Sequence, residues 1–156
     1  MLIKILIVGK TDQAEVVRLF DDYHRRLQHY AKIEIKIIEN KKRRKKINAL
    51  QSVQEEGELI LKELCAGSFL ILLDEAGKQY SSVGFSQQLQ KMLLSGQKEL
   101  VFCIGGAYGF SEEVYQRAST KLALSKMTFT HQMVRLIFME QLYRAFTILK
   151  GEKYHH

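Results

Sequence analysis

Proline is missing from this chain altogether, cysteine occurs only twice, and no apolar run approaches the ~20 residues that a membrane span requires. The opening MLIKILIVG has neither the length nor the flanks of a secretory leader. A cytoplasmic protein is expected. Two thiols cannot build a disulfide framework, and neither has the close Cys/His spacing of a zinc site. Cys65, on a predicted helix, and Cys103, inside the apolar strand LVFCI, therefore read as packed free thiols in a reducing compartment, with no metal. Internal repeats and low-complexity linkers are also lacking, and 156 residues suit one domain, 1–156, with a single core. Hydrophobic residues at 46% and charged residues at 26% place it among globular rather than disordered chains.

Several catalytic signatures are absent as well. No serine stands in a GxSxG elbow, no cysteine has an evident His partner, and no two carboxylates face each other from adjoining loops. GGAYG at 105–109 lacks the full GxGxxG of a dinucleotide site, and no Lys-Ser/Thr pair follows at P-loop spacing. Nucleophilic catalysis and phosphate cradling are both disfavoured.

What is present is unevenly distributed. The net charge is +7, and the run Lys41, Lys42, Arg43, Arg44, Lys45, Lys46 holds six of the 24 basic residues, leaving the rest of the chain nearly neutral. A solvated loop is the plain reading of such a run. Its place between a strand and a helix makes a phosphate-contacting patch the better one.

Hydrophobic periodicity yields alternating elements. LIKILIVG at 2–9 reads as a buried strand, 12–30 as an amphipathic helix, and 33–39, with Ile33, Ile35 and Ile37 alternating with charge, as a strand near the sheet edge. A helix over 47–65, a strand at 68–74, a loop marked by Gly77 and a helix over 85–94 ending before Gly96 follow. ELVFCIGG is another buried strand, Ser111 caps a short helix, 122–124 is a last short strand and 131–150 the final helix. Apolar strands separated by helix-length segments predict an α/β fold: a mostly parallel sheet with helices on both faces. Ligands of such sheets bind beyond the carboxyl ends of the strands. The loops 74–82, 105–110 and 125–130 should line one site, where backbone groups and the apolar Leu73, Leu124, Met127 and Phe129 hold an adenine-bearing cofactor. On the last helix His131 and Arg135 form one i, i+4 pair and Glu140 and Arg144 another. With apolar residues between the pairs no face is plainly solvated, which predicts packing against the core and against a second subunit.

The ordered series LLDEAGKQYSS, FCIGGAYGF, LALSKMTFTHQMVR, EQLYRAF and the terminal YH resembles, over essentially the full chain, the RlmH family. These are the pseudouridine N3-methyltransferases of 23S ribosomal RNA within the SPOUT superfamily. The resemblance implies S-adenosyl-L-methionine as methyl donor, a trefoil knot in the C-terminal half, a homodimer with active sites at the interface, and the assembled ribosome as substrate. By motif, Leu73, Gly105, Leu124, Ser125, Lys126, Met127, Thr128 and Phe129 would bind the cofactor. Tyr154 and His155 would act on the substrate side, and His131, Arg135 and Arg144 would face RNA or the interface. His156 stands where the family pattern has Lys or Arg. A SPOUT enzyme acting on transfer RNA and a non-catalytic ribosome-binding factor are the alternatives.

Overall fold

The computed structural model describes residues 1–40 and 48–156; the basic run Lys41 to Lys46 lies outside the described residues. Five strands form one parallel sheet: β1 (Leu2–Val8), β2 (Lys32–Ile38), β3 (Ser68–Gln79), β4 (Glu99–Ile104) and β5 (Thr120–Ala123), in the order β2-β1-β4-β3-β5. The helices are α1 (Ala14–Leu27), α2 (Ala49–Lys62), α3 (Ser82–Leu94), α4 (Glu112–Arg117) and α5 (His131–Leu149). None is long and apolar enough to cross a membrane.

Period-two alternation along the strands divides the core into two layers. Ile3, Ile5, Ile7, Ile71, Leu100 and Phe102 meet α1, α3 and α5 on one face. Leu6, Val8, Leu70, Leu72, Val101 and Cys103 meet Ile60 of α2 and Val114 of α4 on the other. β1, β3 and β4 are apolar on both sides because both sides are covered. β2 lies at the edge, as its charged alternation predicts, with Lys32, Glu34, Lys36 and Ile37 exposed. Lys4, buried at the far end of the sheet, pairs with Glu99 at 2.7 Å.

Three expectations are corrected. Cys65 is exposed, in the turn after α2 rather than packed on a helix, whereas Cys103 is fully buried and its thiol is pushed up by that burial. Serine capping starts α3 three residues early, Ser81 accepting from Gly84 N at 3.0 Å. And 74–79 is not open loop: β3 continues to Gln79, shifting register so that both Leu73 and Lys78 stand opposite Leu122 of β5. Gly77 serves close approach there, since a Cβ would fall 2.7 Å from backbone atoms of Leu122 and Lys121. Gly96, by contrast, is a helix C′ residue at φ +76°, as expected.

Candidate active site

At the register shift of β3 and beyond the carboxyl ends of β4 and β5 the chain forms an open cleft of about 1040 Å³. Each wall has a local cause. After β4, Gly109 turns the chain at φ +78°, with its N–H donated to Gly106 O at 3.3 Å. Gly105 lies so close to the Phe110 ring that a Cβ would stand 3.0 Å from it. Within β3, at its register shift, Asp74 accepts from Ala76 N at 2.8 Å and from the Tyr115 hydroxyl at 2.6 Å, which fixes the backbone at 74–76. Burial, with that hydrogen bond to Asp74, pushes the Tyr115 phenol up to about 12. After β5, Ser125 Oγ accepts from Met127 N, and Thr130 caps α5 by accepting from Met133 N.

The fourth wall is the β1–α1 loop, held by α5. Gln132 Oε1 accepts from Asp12 N at 3.1 Å, and its Nε2 donates to Lys10 O at 3.4 Å. One turn on, Arg135 donates to Val8 O at 2.7 Å and to Thr11 Oγ1 at 2.9 Å. Arg135 is only 1% exposed, its Nε has no partner, and burial lowers its pKa. It points inward as a brace and does not face RNA or a partner, contrary to the sequence expectation. The i, i+4 spacing placed it correctly on the helix but could not show which side the β1–α1 loop would cover.

Of the expected cofactor residues, Leu73, Gly105, Leu124, Ser125, Met127, Thr128 and Phe129 all line the cleft, and so does His131. Lys126 does not; it lies exposed beside the cleft. Met127 and Phe129 are 77% and 40% exposed, so the wall offers apolar surface that no described residue covers. The charged residues of the lining are Asp12, Asp74 and Glu75, with no Lys or Arg among the described residues there. A cleft of that sign repels phosphates and suits a ligand carrying positive charge. Sequence reasoning placed Asp74 in a segment expected to line the site but missed its bond to Tyr115, and it missed Gln132, which follows His131 in the first turn of α5.

Tyr154 and His155 lie elsewhere. After α5 the chain turns at Gly151, φ +67°, and folds back, with Glu152 Oε2 accepting from the Tyr30 hydroxyl at 2.6 Å. Tyr154 packs edge-on against Tyr143 at 4.8 Å and donates its hydroxyl to Glu140 at 3.1 Å. Burial first, then its hydrogen bonds with Tyr23 and Glu140, raise its pKa and hold it protonated. Arg144 pairs with Glu140 at 2.5 Å, a contact that holds the guanidinium above its ordinary range, and Arg144 also reaches His155. From Val134, the last α5 residue lining the cleft, to Arg144 is about 15 Å along the helix axis at 1.5 Å per residue. The expected cofactor and substrate groups of one chain therefore do not meet within it.

The sequence matches the family model described as a predicted SPOUT methyltransferase over residues 1–155. The chain belongs to the SPOUT methyltransferase family. Among its relatives are proteins named ribosomal RNA large subunit methyltransferase H. Those of Christiangramia forsetii and Flavobacterium johnsoniae are each 56% identical over 156 residues, covering 100% of this chain and 99% of theirs. That of Parabacteroides distasonis is 51% identical over the same span. The all-parallel α/β sheet and the cleft at its carboxyl ends agree with membership of that family.

Proposed function

We propose that this chain methylates N3 of a pseudouridine in 23S ribosomal RNA on the assembled ribosome, with S-adenosylmethionine as donor, and that it does so as a homodimer. The observation that carries the reading is the cleft itself. It has room for a nucleoside-sized ligand, exposed apolar walls, a glycine turn that leaves backbone groups accessible, and, among the described residues, only carboxylates as charged groups. That donor set fits a cofactor bearing an adenine, an ammonium and a sulfonium. When bound, S-adenosylmethionine supplies an electrophilic methyl whose C–S electron pair stays on sulfur.

The chain's task is then alignment, which can contribute about 7–11 kcal/mol to such a transfer. Leu73, Leu124, Met127 and Phe129 would hold the adenine, and Asp12, Asp74 and Glu75 would favour the cationic end. Tyr154, kept protonated, donates its one proton to Glu140 and takes none. Arg144 is a permanent cation beside the acceptor base. The proton of N3 goes to water, so no dedicated base is required. Because the tail stands about 15 Å along α5 from its own cleft, the tail of one protomer would complete the cleft of the other. The basic run Lys41 to Lys46 would supply phosphate contacts on the ribosome, giving binding that weakens with salt.

The test is transfer of labelled methyl to assembled ribosomes, free ribosomal RNA and transfer RNA, with the labelled base mapped. Label at a large-subunit pseudouridine in ribosomes is the expected result. Label in transfer RNA overturns the substrate. No transfer together with no cofactor binding overturns the enzyme reading in favour of a ribosome-binding factor. The shared site is tested by mixing a Gly105→Val chain with a His155→Ala chain. Random re-pairing should restore about a quarter of wild-type activity, since half the dimers then carry one intact site.

A further inference from the structure

Glu140 is the centre of the polar cluster at the C-terminal half of α5. Its Oε1 accepts from Arg144 Nε at 3.1 Å and Nη2 at 2.5 Å, and from the Tyr154 hydroxyl at 3.1 Å. Its Oε2 accepts from Gln141 Nε2 at 2.8 Å, and Gln141 Oε1 accepts from Ser82 Oγ at 2.9 Å, at the start of α3. The carboxylate is thus saturated and anchored to a second helix. Arg144, held from one side by Glu140, lies over the Tyr154 ring at 4.8 Å and extends Nη1 to His155 Nδ1 at 3.3 Å. The Arg144 and Glu140 side chains are 25% and 20% exposed, so water competes only weakly for these contacts.

The last contact fixes the chemistry of His155. A guanidinium carries donors and no acceptor, so Nδ1 must present its lone pair to Arg144. The proton of the neutral imidazole then sits on Nε2, the ring's other nitrogen. Tyr154 is equally committed, its proton directed at Glu140, which leaves its oxygen to accept from the Tyr23 hydroxyl at 3.4 Å.

We infer that Glu140 is a positioning residue of the acceptor side: it locks Arg144 and Tyr154 and, through Arg144, holds His155 as the Nε2–H tautomer. His155 then meets the target base as a hydrogen-bond donor to a carbonyl oxygen, not as the group that removes the N3 proton. The role on RNA rests on the proposed function; the tautomer does not.

The experiment uses the full chain with 15N-labelled histidine, wild type and Glu140→Gln, the His155 signals assigned by their loss in His155→Gln. Long-range proton–nitrogen correlations at neutral pH should show the Nε2–H tautomer in the wild type and a mixture of tautomers in E140Q. In methyl transfer, E140Q should lower kcat about 100-fold, the scale of a small misplacement of reacting groups. Its cofactor Kd should change far less than kcat, by about twofold at most, since Glu140 does not line the cleft of its own chain and would reach the partner's only through Arg144 and the tail. Glu140→Asp, which keeps the charge, should recover part of kcat and serves if E140Q folds poorly. An Nδ1–H tautomer in the wild type, a spectrum unchanged in E140Q, or a kcat within about twofold of wild type would each overturn the inference. If the wild type methylates no RNA, the functional reading fails, and the spectra still decide the tautomer.

Discussion

The two halves of α5 are built on opposite principles. At its N-terminal end, Thr130 to Val134 border a cleft of backbone turns and bare apolar side chains, where Met127 stands 77% exposed. At its C-terminal end, Glu140, Tyr143, Arg144, Tyr154 and His155 are engaged in hydrogen bonds and ring contacts with one another and with α1. The first region has unmet surface and few committed side chains; the second has little free surface and fully committed ones. A pocket left open by shape suits a ligand that brings its own reactivity. A cluster fixed by charge suits a reactant that must be oriented. The helix between them is a rigid spacer that keeps the two from mixing within one chain.

The largest effect expected from breaking this arrangement comes from Arg135, which ties the cleft end of α5 to the β1–α1 loop. Arg135→Ala removes two hydrogen bonds from a charged donor and leaves a cavity, a loss of about 3 kcal/mol of stability. Denaturant unfolding measures it. Arg135→Met refills the volume and relieves the unpartnered Nε, so it should cost much less stability while still loosening the loop and weakening cofactor binding. If both variants bind cofactor as the wild type does, the brace has no bearing on the cleft.

Next in size is Gly105→Val. Its side chain would strike the Phe110 ring and fill the turn, with about 100-fold weaker cofactor binding expected from overpacking of about 1–3 kcal/mol. The contrast between the two regions predicts that the tail cluster is untouched, with the His155 nitrogen signals unchanged. Calorimetry and the same spectra check both halves of that statement. Gly77→Ala should cost about 2 kcal/mol of stability, because its methyl group would stand 2.7 Å from backbone atoms of Leu122 and Lys121 and the β3–β5 pairing must shift to admit it. A thermal scan that shows no loss would mean that the strands already stand further apart.

The same contrast explains what the sequence made legible. The order of elements, the parallel sheet and the position of the cleft followed from apolar runs and glycine spacing, because those patterns report burial directly. β2 as an edge strand, Ser111 as a cap and Gly96 as a helix stop were readable for that reason. Arg135 was misread because an arginine between Val134 and Leu136 has the same spacing whether the next layer is water or the β1–α1 loop. Gly77 was misread because a glycine demanded by a neighbouring strand looks locally like one demanded by a turn. Glu140 stood out only as a helix pair with Arg144, since its link to Tyr154 depends on a reversal at Gly151. Long-range polar contacts leave little periodic trace, and both ends of α5 depend on them.

The smallest effect tests how much one committed side chain contributes to the β3 wall of the cleft. Tyr115 donates to Asp74 at 2.6 Å, and its phenol is raised from 10.0 to about 12, by burial first and then by that hydrogen bond. A raised tyrosine pKa means that the folded chain keeps a proton which the unfolded chain gives up sooner. Its contribution is therefore present in full below pH 10, and declines as pH rises from 10 through about 12. Tyr115→Phe removes the bond at a cost of about 1 kcal/mol, and the stability difference from wild type should be flat up to pH 10 and then shrink. Tyr30 and Tyr154 are also raised, but both variants carry them, so their share cancels in the difference. A difference that stays constant to pH 12 would show that the Asp74 turn is held by its backbone alone. The β3 wall of the cleft would then be set by main-chain geometry, leaving Gln132 and Arg135 as the side chains that brace the cleft from α5.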